Sequence, residues 1–393
     1  MQFGAEHMTA EDPIEAFRAY AATCDAIQRR IIEVDSQPER GKSLRGFSLR
    51  EVCRLLELDE CAIRPLAAAA ALFQPGGRAT IGQIADFRRE LRVQRISGGR
   101  TPRKACVLTI ANFKGGAAKS TTAVHLAQYL TLRGHRVLLV DLDSQATATA
   151  AFGFAPDADF EPSQTLWSYM RGDEDKLEAL VATTHWPGLD LLPANLGLYQ
   201  IEFELPARQM RNRDFKFWSL LRKGLASVED RYDAIICDCP PSLGYLSLNA
   251  IYAASAMLVP CPPSMADFAS TGRFFAMVAD TMSAIAHAEG ATSQRLQFIR
   301  LLITRFSPSD RNQQTLCEFL EASFPGQILK NRMAQTTALD LAGNVKRSLY
   351  ELDPSAGRTL ERALEFMDAV NSEIEGLIFQ DVDDLSPVGA RAA

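Results

Sequence analysis

Five short apolar runs govern what this chain can fold into. VLTIANF (107–113), VLLVDLD (137–143), AIICDCP (234–240), AMLVP (256–260) and FIRLLIT (298–304) are apolar almost throughout. Strands of a parallel sheet covered by helices on both faces read in this way. Helical stretches separate the runs, most clearly 119–133, which Gly134 terminates. Strands alternating with helices imply βαβ units, so the expected fold class is α/β with a doubly wound, mostly parallel sheet. With 393 residues, 47% of them hydrophobic, the chain can supply two or three domains with sizeable cores.

The first run leads into the most informative segment, VLTIANFKGGAAKSTTAVHLAQYL. A strand enters a Gly-rich loop, and Lys119-Ser120-Thr121 then opens a helix. Backbone N–H groups and a helix N-terminus cradle phosphates in this geometry. Lys119 would reach the terminal phosphates and Ser120 would ligate Mg²⁺. The generic pattern G-x-x-x-x-G-K-[ST] is not met, because Phe113 and Ala118 stand at its two glycine positions. A second lysine, Lys114, leads the loop instead. Two further runs end in acids, Asp141 with Asp143 and Asp238, where open α/β sheets bind their ligands. Taken singly, each aspartate is equally a cap or turn residue. Beside a phosphate loop, an acid that ends an apolar strand suits an Mg²⁺-linked carboxylate.

Together these motifs resemble those of the ParA/MinD-type ATPases, P-loop NTPases with a deviant Walker A motif, over about residues 105–380. KGGAAKST resembles the family's KGG-x-x-K-[ST] loop, VLLVDLDSQATAT its second motif and YDAIICDCPPSLGYLSLNAI its Walker B region. CPPSMADFASTGRFF, LLITRFSPSD and SLYELDPS resemble the plasmid partition members that carry an N-terminal helix-turn-helix domain, such as the RepA proteins of repABC plasmids. The resemblance implies ATP and Mg²⁺ as cofactors and a weak, partner-stimulated ATP hydrolysis. It implies that Lys114, Gly115, Gly116, Ala117, Ala118, Lys119, Ser120 and Thr121 wrap the nucleotide. Lys119 would contact the β- and γ-phosphates and Thr121 the inner ones. Ser120, Asp238 and Asp141 would serve the metal, and Asp143 would position the attacking water. Lys114 would cross a homodimer interface to the partner's nucleotide. Ala118 departs from the family's usual glycine. Its Cβ is harmless if φ is negative and costs roughly 1 kcal/mol or more if φ is positive.

Ahead of the α/β region, residues 1–40 hold one amphipathic helix, 12–35, with Asp12 as N-cap and Pro13 at its first position. Its stripe of Ile14, Phe17, Ala21, Cys24, Ile27 and Ile31 suits a core contact or a dimer contact. Residues 41–93 read as a helical, winged helix-turn-helix-like domain. Ser48 and Asp59 cap two helices in it, and TIGQIADFRREL forms a third after the Gly76-Gly77-Arg78 turn. A basic linker (94–105), an ATPase domain (106–380) and a disordered tail (381–393) complete the expected organisation.

The net charge of −6 hides a strong asymmetry: −4 over residues 1–35, +7 over 36–104 and −9 over 105–393. A local basic excess matters more for DNA binding than the total. Arg50, Arg54, Arg64 and Arg78 are candidates for operator contact. The Ala-rich second helix, with Pro65, offers few donors for base edges, so a dimerisation or partner role stays open for this domain. On the ATPase domain, Lys330, Arg332, Lys346, Arg347, Arg358 and Arg362 form one basic group. Arg208, Arg211, Arg213, Lys216, Arg222 and Lys223 form another. Either suits non-specific DNA binding or a solvated face.

Eight cysteines without a C-x-x-C pair read as reduced cytosolic thiols. Cys237 and Cys239 flank Asp238 on a strand, the wrong place to ligate an iron–sulfur cluster. No run approaches the roughly 18 apolar residues of a membrane span, the N-terminus lacks a secretory pattern, and the acidic tail with Pro387 and Gly389 is unlike a basic membrane-surface helix. The expectation is therefore a cytoplasmic, nucleoid-associated partition ATPase for a low-copy plasmid or secondary replicon. ATP would gate its dimerisation and DNA binding, a ParB-like centromere-binding protein would stimulate it, and the N-terminal domain would repress its own operon. Two rival readings are an ATP-tuned transcriptional repressor and a P-loop enzyme acting on a small molecule.

Overall fold

The computed structural model describes residues 18–20, 22, 23, 26, 44–56, 60, 77–96, 104–290, 296–344, 346–353 and 357–379. They fall in two units divided after Lys42. In the first, the described residues are helical, and the Thr23 hydroxyl donates to the Ala19 carbonyl at 2.8 Å. Most of the amphipathic stripe, the second helix of the helix-turn-helix reading with Arg64 and Pro65, linker residues 97–103 and the tail 381–393 lie outside the described residues.

The second unit begins with a two-stranded antiparallel ribbon, β1 (Phe47–Ser48) and β2 (Arg78–Ala79). A helix follows each strand, and both start on the same device. Before α1 (Leu49–Leu56), Ser48 N and Oγ donate to Glu51 Oε2 at 2.8 and 2.9 Å. Before α2 (Ile81–Ile96), Thr80 N and Oγ1 donate to Gln83 Oε1 at 2.9 and 3.0 Å. These capping boxes satisfy donors that a helix start leaves without intrahelical partners.

The main sheet has, among the described residues, seven strands in the order β5-β6-β4-β7-β3-β8-β9. They are β3 (Cys106–Ile110), β4 (Val137–Asp141), β5 (Ala182–Thr183), β6 (Leu189–Leu192), β7 (Ala234–Asp238), β8 (Ala256–Cys261) and β9 (Ile299–Ile303). All pairings are parallel except β5 with β6 at one edge. The doubly wound sheet expected from the apolar runs is thus present, and each run supplies one strand. Helices cover it: α3 (Lys119–Leu132), α4 (Thr147–Ala151), α5 (Ile201–Arg211), α6 (Tyr245–Ala253), α7 (Met265–Glu289), α8 (Arg311–Ser323), α9 (Thr337–Asn344) and α10 (Arg358–Phe379).

Phe47, Val52, Leu55, Leu56, Ile81, Ile84 and Phe87 are buried in the same apolar cluster as Leu126 and Leu130 of α3 and Met367, Val370 and Ile374 of α10. Each such side chain contributes about 2 kcal/mol by leaving water. Arg133, at the end of α3, donates through Nη1 to the Leu55 carbonyl at 2.6 Å and through Nε to Glu375 at 2.8 Å. Arg45 donates to the Tyr350 carbonyl at 3.0 Å, and Arg54 lies 3.3 Å from Asp368 of α10. Gly134 ends α3 at φ +81, and a Cβ there would come within 2.8 Å of the Arg88 side chain on α2. Glycine therefore permits both the left-handed turn and the close approach of α2.

Candidate functional site

Because β4, β7 and β3 are neighbours, the loops leaving their carboxyl ends share one edge of the sheet. Register pairs Ile110 with Asp238 and Asp238 with Asp141. Residues separated by 128 and 97 positions in sequence thus converge at the point where open α/β sheets bind ligands.

The loop between β3 and α3 is fixed from outside. Asn112 donates through Nδ2 to the Pro260 carbonyl at 2.7 Å and to Thr271 Oγ1 at 3.0 Å. Thr304 Oγ1 donates to the Ala117 carbonyl at 3.1 Å, and Arg305 Nη1 to the Gly116 carbonyl at 3.2 Å. Gly116 has φ +75, and Ala118 has φ +66 and ψ +30 directly before α3. The alanine that replaces the family's glycine therefore sits in the left-handed region, where its Cβ is strained.

The Lys119 ammonium donates to the Lys114 carbonyl at 3.1 Å. Burial holds its pKa below the ordinary lysine value, while Asp238, Cys239 and Asp143 pull it back up. Asp238 is fully buried, and neither carboxylate oxygen has a hydrogen bond of ordinary geometry. Burial raises its pKa well above the carboxylate range and Asp141 adds to the rise; the Ser120 hydroxyl and Lys119 oppose it. A buried carboxylate without a hydrogen bond of ordinary geometry, beside a helix-opening serine, is a ligand pair suited to a cation. Among the described residues no cluster of three or more His, Cys, Asp or Glu could hold a metal by itself. Asp238 and Ser120 thus fit a metal that keeps waters and phosphate oxygens in its shell, as Mg²⁺ does.

Asp141, expected beside the metal, has hydrogen-bond partners of its own in the protein. Its carboxylate accepts from Thr149 N and Oγ1 at 2.8 and 2.7 Å and from Asp143 N at 3.1 Å, so it shapes the turn after β4. Burial raises its pKa to about 6 despite these bonds. Asp143 accepts from Gln145 N at 3.0 Å.

A cavity of about 530 Å³ opens beside the loop, lined among others by Gly116, Ser120, Thr121, Arg305, Lys346 and Arg347. Lys346 and Arg347, expected on a DNA face, thus line this cavity. The sequence reading missed Arg305, a non-glycine residue at φ +53 just past β9. Its position at a strand's carboxyl end was the available signal. It also missed His125 on α3, whose ring is anchored between the Thr121 carbonyl (2.7 Å) and Leu349 N (3.1 Å). With Nδ1 on a carbonyl and Nε2 accepting, the imidazole is neutral, and burial lowers its pKa to about 4.

The other basic candidates differ in how free they are. Arg50 is exposed, while Arg54 pairs with Asp368 and Arg78 donates to the Gly46 carbonyl at 3.0 Å. Arg332 pairs with Glu321 at 2.6 Å and lies over Phe306. Arg208 donates to the Met170 and Arg171 carbonyls, Arg222 pairs with Glu229 and Lys216 lies 3.9 Å from Glu289. Arg211, Arg213, Lys223, Lys330, Arg358 and Arg362 are exposed or half-exposed.

Comparison with known proteins gives the chain's family and fold. The sequence profile of a family described as an AAA domain matches residues 105–288. The chain is 37% identical over 361 residues to replication protein A of Sinorhizobium fredii, covering 87% of this chain and 88% of the relative. It is 31% identical over 332 residues to the protein SopA of Escherichia coli, covering 81% and 83%. A solved structure of a partition protein, 18% identical, shares the fold with a TM-score of 0.64, covering 94% of this chain and 100% of that one. With a phosphate loop of this form and relatives aligned across most of its length, the chain belongs to the ParA/MinD-type ATPases.

Proposed function

We propose that the protein is an ATP-dependent DNA partition protein that segregates a low-copy plasmid or secondary replicon. The observation that carries this reading is the convergence of Lys119, Ser120 and the orphaned Asp238 beneath a phosphate loop, in a chain whose partition-type relatives align along most of its length. On ATP binding, Lys119 leaves the Lys114 carbonyl for the β- and γ-phosphates, and the loop N–H groups take the inner phosphates. Ser120 and Asp238 would hold Mg²⁺, which would supply positive charge to the bound phosphates. Asp143 orients the attacking water, and Lys114 reaches the nucleotide of a second protomer. Phosphoryl transfer depends chiefly on such positioning and charge, so hydrolysis follows dimerisation.

The ATP dimer binds nucleoid DNA through its exposed basic groups, Arg211, Arg213 and Lys223 or Lys330, Arg358 and Arg362. A ParB-like protein stimulates hydrolysis and release. Arg50 and its neighbours in the N-terminal part serve operator binding and self-repression. No helix among the described residues is long and apolar enough to cross a membrane, and the proposed location is cytoplasmic and nucleoid-associated. The test measures ATP turnover with and without DNA and a ParB-like protein. Turnover that rises severalfold only with both supports partition. Turnover indifferent to both, with intact operator binding, would favour a repressor instead.

A further inference from the structure

We infer that Asp267 is a positioning residue that holds Lys114 in its own protomer until nucleotide assembles the dimer. This rests on the proposed reach of Lys114 to the partner's nucleotide. Three groups hold Lys114. Its Nζ lies 3.3 Å from Asp267 Oδ1, its carbonyl accepts from Lys119 Nζ at 3.1 Å, and its N–H points to Asn112 Oδ1 at 3.4 Å. The carboxylate is set in advance, since Ser264 Oγ donates to Asp267 Oδ2 at 2.6 Å and accepts from Asp267 N at 3.1 Å. The first turn of α7 is tied to the loop as well, because Thr271 donates to the Asp267 carbonyl and accepts from Asn112 Nδ2. One helical turn therefore positions both the backbone and the ammonium of Lys114.

Asp267 Oδ1 is buried, and it has no hydrogen bond among the described residues beyond the ion pair with Lys114. The Asp267 side chain is 14% exposed, against 48% for Lys114. The pair is therefore less screened than one in open solvent, and departure of Lys114 strands a covered carboxylate oxygen. That penalty opposes dimerisation. A terminal phosphate works against the arrangement at two points, drawing Lys119 off the Lys114 carbonyl and offering the Lys114 ammonium a stronger anion across the interface. Asp267 thus sets a threshold that keeps protomers apart when the loop holds no triphosphate.

The experiment uses the full-length chain, the non-hydrolysable analogue AMPPNP with Mg²⁺, and sedimentation velocity over a range of protein concentrations. Asp267→Asn keeps an oxygen for Ser264 and removes the charge, and Asp267→Ser serves the same purpose should the amide disturb the helix start. Either should dimerise at about fivefold lower concentration than wild type, with basal ATP turnover rising in step. Asp267→Glu restores a carboxylate and should return toward wild type. Lys114→Ala should fail to dimerise, and adding Asp267→Asn to it should change nothing. If Lys114→Ala fails to dimerise but Asp267→Asn matches wild type, the restraint is refuted and the role of Lys114 survives. If Lys114→Ala dimerises normally, both fall. If the double variant gains as much as Asp267→Asn does over wild type, Asp267 acts on something other than Lys114 and the inference is overturned.

Discussion

Replacing Ala118 with glycine should stabilise the protein, the reverse of what this exchange does in a helix. At φ +66 and ψ +30 the Ala118 Cβ sits in the left-handed region, which costs an L-residue about 1–2 kcal/mol. Glycine removes that strain but gains freedom in the unfolded chain, which offsets about 0.4–1 kcal/mol of the benefit. The methyl group also packs against the apolar cluster around α3, and losing part of that contact removes about 0.3 kcal/mol. The net is a gain of about 0.5 kcal/mol. The control is Ala284→Gly, at an exposed position inside α7, where the exchange should lose about 1 kcal/mol. Identical chemistry at two sites should thus differ by about 1.5 kcal/mol in sign-reversed directions, read from urea unfolding midpoints without nucleotide. Ala118→Val should fall on the unfavourable side, since a β-branched residue is poorly accommodated at positive φ. Ala118→Gly losing as much stability as Ala284→Gly would refute the argument, because it would show that Ala118 stores no strain.

The remaining predictions follow from the site and the core. Lys119→Ala should weaken ATP binding by at least about 100-fold, while Asp143→Ala should bind within about threefold of wild type and lose at least about 100-fold in turnover; fluorescent-nucleotide titration and phosphate release measure the two. His125 has a folded pKa of about 4 against an ordinary 6.5, so between those values the unfolded chain takes up a proton that the folded one refuses. Stability should drop by up to about 3 kcal/mol as pH falls from 6.5 to 4 and then level off. His125→Gln should flatten that stretch of the unfolding profile. Glu375→Gln leaves the Arg133 and His135 side chains, now bonded at 2.8 and 2.7 Å, without their buried carboxylate, and should lose about 3 kcal/mol by thermal unfolding. DNA binding with AMPPNP should weaken steeply with salt, with a shallower slope when Arg211, Arg213 and Lys223 or Lys330, Arg358 and Arg362 are neutralised.

The sheet was legible because its central strands are covered on both faces, which leaves uninterrupted apolar runs of β length. β6 was not, since the Leu189–Leu192 quartet looks like any short apolar group in a segment of brief turns. The phosphate loop and Asp238 could be read because a strand's carboxyl end is a fixed address in such folds. What escaped depends on distance in sequence. Arg305 reaches the Gly116 carbonyl across 189 positions, and no local pattern announces that contact. Asp141 has the same strand-end address as Asp238, yet Thr149, eight residues on, donates twice to its Oδ2 and Asp143 N donates to its Oδ1. Charge alone could not place Lys346 and Arg347 either: both are exposed and both line the cavity, and a basic pair after a helix reads the same in each setting.

The packing of Phe47, Val52, Leu55, Leu56, Ile81, Ile84 and Phe87 with α3 and α10 bears on how the protein can be taken apart. A chain cut at residue 105 would keep the whole main sheet and every residue of the phosphate loop. It would also uncover the face now roofed by Phe47, Val52, Leu55 and Leu56, and Arg133 would lose the Leu55 carbonyl. Asp368 would face water where Arg54 now stands. Such a truncation would be a sticky object prone to precipitation, and a loss of ATP turnover in it would say nothing about the loop. Experiments that aim to separate the nucleotide chemistry from the N-terminal part are better done with point changes on the surface of α1 than with scissors.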